Sequence, residues 1–142
     1  MKYAAQIDSL LPHRPPFRFV DELVEVSGER GEFCLCLAAD DPRLLEGAMS
    51  PVLLVEALAQ SAAAYQHSRI TGESHRGLLA SIDSARFFGA ARGGERVQLL
   101  IRRDRSYGAF VRFSGTATQG PRPLAEAEFT VCYLSDTAVT DA

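Results

Sequence analysis

The pattern of apolar and polar positions predicts one long buried helix in the middle of the chain. Residues 49–65 are apolar at nearly every position and carry a single carboxylate, Glu56. Ser50 is a favoured N-cap residue, and Pro51 suits the first helical position, where its missing N–H costs nothing. We expect this helix to end near Arg69. Because it is apolar on nearly every side, other elements must enclose it.

The apolar runs on either side of this helix are short and fit strands. A short helix is predicted over 4–11, ending before Pro12, which cannot continue it. Two strands then precede the long helix and four follow it, separated by glycine- and proline-containing turns. The predicted strands are 17–26, 31–38, 77–87, 95–103, 109–118 and 123–134, with loops at 39–48 and 71–75 and turns at 92–95 and 105–108.

This order of elements predicts an α+β fold. A curved antiparallel sheet wrapped around one long central helix would enclose the apolar surface, whereas the helices are too few for a doubly wound parallel sheet. The 142 residues are expected to form a single domain, with a core over 1–135 and a frayed tail over 136–142. No apolar run reaches the roughly 18 residues of a membrane span, and no signal peptide is evident, so we expect a soluble, cytoplasmic protein.

The cysteines and the charges add two further expectations. Cys34 and Cys36 alternate with Leu35 and should point to one face of a strand, while Cys132 lies in another apolar run. Their spacing does not fit a metal site, so we expect reduced thiols and neither a metal nor another cofactor. The net charge of −3, together with the lack of interleaved aromatic and basic residues, argues against nucleic-acid binding.

Arginines are concentrated in the second half of the chain. Seven arginines fall between Arg86 and Arg112 against two acidic residues, which leaves a local charge of +5 on an acidic protein. They could form a salt-bridged outer sheet face, or they could contact an anionic partner through bidentate hydrogen bonds. The candidates for such a contact are Arg86, Arg92, Arg96, Arg102, Arg103 and Arg105.

In segments 11–21 and 49–60 the chain resembles the FabZ/FabA family of 3-hydroxyacyl-(acyl carrier protein) dehydratases. Residues 11–21, LPHRPPFRFVD, match the family's L-P-H-R-x-P-F-x-x-V-D opening. Residues 49–60, MSPVLLVEALAQ, resemble its M-P-G-V-L-x-x-E-A-x-A-Q motif, and residues 81–87 are similar to the strand after its helix. The resemblance covers most of the chain and implies the hotdog fold.

The resemblance also implies a mechanism. A histidine removes the α-proton of a 3-hydroxyacyl thioester, and a carboxylate on the central helix of the partner subunit helps the hydroxyl leave as water. The site then lies at a dimer interface. In this chain Glu56 falls on the helix carboxylate, and the substrate would contact the helix start and face at Ser50, Pro51, Val52 and Gln60.

The chain departs from the family at the histidine. The family's Gly-His-Phe-Pro segment corresponds here to residues 40–45, with Pro42 at the histidine position, and Pro51 removes a backbone N–H at the helix start. His13, in the opening motif, is the nearest alternative in sequence, although that position is structural in the family. We therefore expect this chain to be a half-site subunit that forms a heterodimer with a second hotdog chain, which supplies the histidine. A homodimer remains an open alternative.

Other interpretations remain at this point. Glu56 could instead serve a thioesterase as base or nucleophile, or the chain could be a non-catalytic acyl-binding subunit. Glu56 could also be a solvated helix carboxylate, and Gln60 could hold Glu56 or satisfy a buried backbone group. Acyl carrier protein or coenzyme A is the implied partner of the arginines; His67 and His75 are expected to be solvated.

Overall fold

A six-stranded antiparallel sheet wraps around one long helix in the computed structural model, which describes residues 4–69 and 75–135. The predicted α+β class is therefore confirmed. The elements are α1 (Ala4–Leu10), β1 (Glu22–Ser27), β2 (Arg30–Cys36), β3 (Ala48–Met49), α2 (Val52–Arg69), β4 (His75–Phe87), β5 (Ala91–Arg92), β6 (Arg96–Tyr107), β7 (Phe110–Gln119) and β8 (Arg122–Ser135). The six long strands have the order β1-β2-β6-β7-β8-β4, and β3 pairs with β5 as a separate two-stranded sheet.

The helix α2 is held against the centre of the sheet by close packing. In the first half of β6, at 96–102, buried and exposed positions alternate, as expected for a sheet with one covered face. Tyr65 packs edge-on against Phe113 of β7, with ring centroids 6.1 Å apart, and its hydroxyl donates to the carbonyl oxygen of Gly28. At Gly115 a β-carbon would lie 3.1 Å from Leu58, so glycine lets β7 approach the helix closely.

The strand predicted over 17–26 is wrong in its first half. β1 begins only at Glu22, and the backbone groups of Phe17 and Phe19 are hydrogen-bonded to the side chain of Gln60. Buried backbone groups need partners, but a side-chain amide can supply them in place of a neighbouring strand. The apolar pattern of this segment therefore reflects packing against α2.

The turn predicted at 105–108 is also wrong. β6 continues to Tyr107, which pairs with Phe110, and the chain reverses through Gly108 and Ala109. Gly108 has φ = 59°, a left-handed conformation that glycine adopts without strain. The bulge between Arg103 and Arg105 interrupts the alternation that strand prediction relies on.

Smaller differences concern element ends. The remaining strand and helix bounds differ from prediction by one or two residues, within the usual uncertainty of helix and strand ends. β3 and β5 were not predicted, because two residues cannot show a period. β4 begins at His75, which the predicted loop included; residues 70–74 of that loop and the predicted tail lie outside the described residues.

The structure also bears on the predictions about the cysteines and about membrane spans. Cys34 and Cys36 do share a face, with their sulfur atoms 3.9 Å apart, and burial raises the pKa of the Cys36 thiol to about 12. The described helices include none that is long and apolar enough to cross a membrane.

Candidate functional site

The Glu56 carboxylate lies on the side of α2 that the sheet leaves uncovered. Glu56 is half-buried, and Val52, one turn earlier on the same side, is 65% exposed. Ala63 and His67, which follow at helical spacing, are also only half-buried. The carboxylate of an otherwise apolar helix therefore faces the opening where a ligand or a second chain could meet it.

The Gln60 side chain, one turn after Glu56, is 2% exposed, and both its amide oxygen and its amide nitrogen are hydrogen-bonded. Its Nε2 donates to the carbonyl oxygen of Phe17 at 2.8 Å and to Glu56 Oε1 at 3.1 Å, and its Oε1 accepts from the N–H of Phe19 at 2.8 Å. The backbone partners fix which end of the amide is oxygen, since an N–H only donates and a C=O only accepts. Gln60 therefore presents an N–H to one carboxyl oxygen of Glu56, and no described residue forms a hydrogen bond with the other oxygen.

Both roles considered for Gln60 are thus present, because it holds Glu56 and also satisfies buried backbone groups. Its contact with a substrate stays a prediction, which its burial disfavours.

The loop at the expected histidine position carries an ion pair. The Arg43 guanidinium forks onto Asp41, with Nε 2.9 Å from Oδ1 and Nη2 2.8 Å from Oδ2. This arginine lowers the pKa of the Asp41 carboxyl below its ordinary value. Pro42, between them, is exposed. This pair could not be predicted from the sequence, because an acidic and a basic residue in a polar loop carry no signal of burial.

The start of α2 differs from the predicted cap. The Ser50 hydroxyl has no hydrogen-bond partner in the described part of the chain, so its predicted N-cap role is wrong. Of the two N–H groups that an N-cap side chain at Ser50 could bind, that of Leu53 donates instead to the Ser50 carbonyl oxygen at 3.1 Å. The N–H of Val52 has no backbone partner within the described ranges. It is therefore available, at the positive end of the helix, to an oxygen of a ligand.

The described residues bring no histidine of the same chain into hydrogen-bond contact with Glu56. His13 is half-buried, and its Nδ1 has no partner within residues 4–69 and 75–135. His67 is on α2 but eleven residues further on, about 16 Å along the axis at 1.5 Å per residue. The side chain of His75 lies outside the described part. A catalytic role of His13 stays a prediction.

Most of the candidate arginines take part in contacts within the chain. Arg86 pairs with Glu126 at 3.3 Å, and Arg96 pairs with Glu22 at 2.7 Å. The others are Arg102 with Asp104, Arg103 with Glu29 and Ser106, and Arg105 with Tyr107, while Arg92 is exposed in β5. The salt-bridged sheet face is therefore present, and contact of these arginines with a carrier stays a prediction.

A groove of about 770 Å³ crosses the outer face of the sheet. Residues from all six long strands line it, including three arginines and four glutamates, and Glu56 is not among them. This groove therefore lies on the side of the sheet away from the carboxylate. The described residues also contain no group of three or more histidine, cysteine or acidic side chains suited to hold a metal ion.

The strand β4 forms an apolar edge of the sheet. It pairs with β8 on one side, and none of the described strands pairs with its other side. Leu78, Ile82 and Phe87 are about half exposed along it, at 50%, 51% and 45%. A long, exposed, apolar edge strand is a template for pairing with another chain. α2 packs against β4, so this edge lies beside the helix that carries Glu56.

Comparison with known proteins identifies the family and the fold. The model of the ApeP-like family, described as ApeP dehydratase, matches residues 5–140. A relative named 3-hydroxyacyl-[acyl-carrier-protein] dehydratase FabZ, from Bacillus pumilus, is 31% identical over 133 residues. The match covers 89% of this chain and 92% of the relative's length.

Two solved structures share the fold. The dehydratase heterocomplex ApeI:P from Xenorhabdus doucetiae contains a chain with a TM-score of 0.81 and 16% identity, and the match covers 95% of both chains. A mutant of the thioesterase PA1618 from Pseudomonas aeruginosa has a TM-score of 0.71 and 12% identity, covering 93% of this chain and 94% of that one. At these identities the likeness concerns the hotdog architecture only.

Proposed function

Because the chain belongs to the ApeP-like dehydratase family, within the 3-hydroxyacyl-(acyl carrier protein) dehydratases, we propose that it contributes half of a dehydratase site. The other half is a histidine on a second hotdog chain. The substrate is a 3-hydroxyacyl thioester attached to an acyl carrier protein.

One observation carries this proposal. The Glu56 carboxylate is oriented by Gln60 on the uncovered side of α2, and none of the described histidines of its own chain is bonded to it. A carboxylate held in this way is suited to proton transfer, but elimination of water also needs a base for the α-proton. We assign this base to another chain that meets this face.

The elimination divides between the two halves. The partner's imidazole takes the proton from C2 of the acyl chain, and the electron pair of the broken C2–H bond forms the C2–C3 double bond. The C3–O bond breaks, and the protonated Glu56 gives its proton to the departing hydroxyl, which leaves as water. Transfer of the proton from imidazolium to the Glu56 carboxylate, directly or through solvent, then restores both groups.

The helix start supplies the third component. The N–H of Val52 is free of backbone partners in the described residues and can donate to the thioester carbonyl oxygen. Charge develops on this oxygen as the α-proton leaves, so a fixed donor there lowers the barrier. Pro51, which has no N–H, leaves this site with one donor fewer than a glycine would.

The partner is proposed to add its own edge strand to β4. Exposed apolar residues along this edge, Leu78, Ile82 and Phe87, would be buried by such pairing, and the edge adjoins the helix with Glu56. The likeness to a chain of a dehydratase heterocomplex supports a different chain, rather than a second copy, as the partner.

Reconstitution tests the proposal. The chain would be co-purified with a hotdog protein that keeps the Gly-His-Phe-Pro segment. Mass spectrometry would then measure the enoyl product formed on the carrier protein. We expect turnover by the complex and less than about one hundredth of it by this chain alone, the factor that one acid–base group typically supplies. Full activity of the isolated chain would contradict the half-site. Release of free thiol would indicate a thioesterase, and bound acyl chain without turnover a non-catalytic subunit.

A further inference from the structure

Side chains from the helix α2 and from the loop between β2 and β3 hold the short segment from Phe17 to Phe19. Gln60 of α2 binds the carbonyl oxygen of Phe17 and the N–H of Phe19. Arg43 donates from Nη1 to the carbonyl oxygen of Arg18 at 2.8 Å, and its guanidinium carbon lies 5.4 Å from the centroid of the Phe19 ring. Because Arg18 lies between the two residues that Gln60 binds, both side chains fix the same piece of backbone.

Arg43 is itself fixed. Asp41 receives two hydrogen bonds from the guanidinium and a third, at 2.9 Å, from the backbone N–H of Arg43. The two side chains are only 15% and 11% exposed. A guanidinium held by a carboxylate in this bidentate way has a defined plane and direction, which a single hydrogen bond would not impose.

We propose that Arg43 is a positioning residue for the Glu56 carboxylate. This inference rests on the proposed function, in which Glu56 transfers the proton. Arg43 holds the Phe17–Phe19 segment, the segment holds the Gln60 amide, and Gln60 directs an N–H to Glu56. If the segment shifts, Gln60 follows its two backbone partners and the carboxylate loses its orientation. Small misplacements of catalytic groups lower rates strongly, even when the change lies outside the reacting atoms.

The loop of residues 40–45 thus has a different role from the one that the resemblance to the dehydratase family implies, which is to supply the catalytic histidine. Residues 40–45 correspond to the segment that carries the family's histidine. Here they supply the Asp41–Arg43 pair, which supports the other catalytic group. Arg43 touches no reacting atom, so it acts through the geometry of Glu56.

The test uses Arg43→Met in the complex with the histidine-bearing partner, since methionine keeps an unbranched apolar stem and removes the guanidinium. We expect kcat per folded complex to fall about tenfold or more, with KM changed less than about twofold, because the reacting geometry and not substrate binding is disturbed. Hydrogen exchange of the Phe19 N–H should become faster. Arg30→Met, at an exposed arginine of β2, is the matched control and should change neither quantity.

A double-mutant cycle separates positioning from a general loss of stability. If Arg43 acts through Gln60, the variant with both Arg43→Met and Gln60→Leu should have the kcat of Gln60→Leu alone, within about twofold. Rate losses that multiply would contradict the inference. If Arg43→Met does not fold, Arg43→Lys replaces it in the cycle, because lysine keeps the charge beside Asp41 and loses the fork.

Glu56→Gln distinguishes failure of this inference from failure of the proposed function. If Glu56→Gln keeps full activity, the proposed function is wrong whatever Arg43 does. If Glu56→Gln abolishes turnover while Arg43→Met keeps kcat and the slow exchange of Phe19, only the role of Arg43 is wrong.

Discussion

Gln60 donates a hydrogen bond from Nε2 to Glu56 Oε1 at 3.1 Å, one helical turn away, while the same amide binds the backbone of Phe17 and Phe19. This contact joins the helix, the segment before β1 and the carboxylate in one network. Buried polar networks of this kind are rigid when every member is satisfied, and costly when one member is removed.

Gln60→Leu should therefore lower both stability and activity. It leaves the Phe19 N–H and the Phe17 carbonyl without their buried partner, which should cost about 2–4 kcal/mol in the free energy of unfolding. Urea unfolding of the isolated chain measures this. Gln66→Leu, on the same helix, is the matched control and should cost less than about 1 kcal/mol, because the buried Oε1 of Gln66 has no partner in the described residues to lose. Equal losses in the two variants would contradict the network.

Val52→Pro should reduce turnover while the helix still forms. Proline is well tolerated at the first helical position, but it removes the N–H proposed to bind the thioester oxygen. Loss of one such donor should lower kcat of the complex by about 100-fold. Val52→Ala, which keeps the N–H, serves as control. If the proline variant retains the rate of the alanine variant, the carbonyl is bound elsewhere.

The Asp41–Arg43 pair should contribute stability that depends on pH. The arginine lowers the pKa of Asp41 in the folded chain, so the contribution is fully present above the ordinary pKa of 3.8 and is lost as the pH falls through the lower native value. The free-energy difference between the natural chain and Asp41→Asn should therefore be largest near neutral pH and shrink below about pH 4. Unfolding experiments across this range measure it. A difference that stays constant with pH would show that the pair adds nothing by ionisation.

Ile82→Lys should prevent assembly with the partner. Ile82 is 51% exposed on the open edge strand β4, so a lysine is tolerated by the isolated chain, while charge on an edge strand opposes pairing. Light scattering after gel filtration reports the loss of the complex. Leu100→Lys alters a similarly exposed residue, at 43%, in the middle of the outer sheet face and should leave assembly unchanged. The reverse order of effects would place the partner on the outer face.

The sequence predicted what depends on local periodicity. Apolar spacing predicts the bounds of α2 and the existence of the six long strands. The two motifs predict the placement of Glu56 on α2. The sheet order and the course of residues 17–21 depend on contacts between distant parts of the chain. The Phe19 N–H, for example, bonds to a side chain 41 residues away. The Asp41–Arg43 pair is likewise invisible in sequence, because its burial comes from packing on Arg18 and Phe19.

The role of Glu56 as the proton donor is tested by the rate of the reconstituted complex that carries Glu56→Gln. Glutamine keeps the shape of the side chain and can still meet Gln60, but it cannot give a proton to the departing hydroxyl. We predict that kcat for dehydration of a 3-hydroxyacyl carrier protein falls at least about 100-fold, with assembly and unfolding temperature unchanged, because a general acid supplies about that factor. A complex that carries Glu56→Gln and still dehydrates the substrate at close to the natural rate would contradict the account.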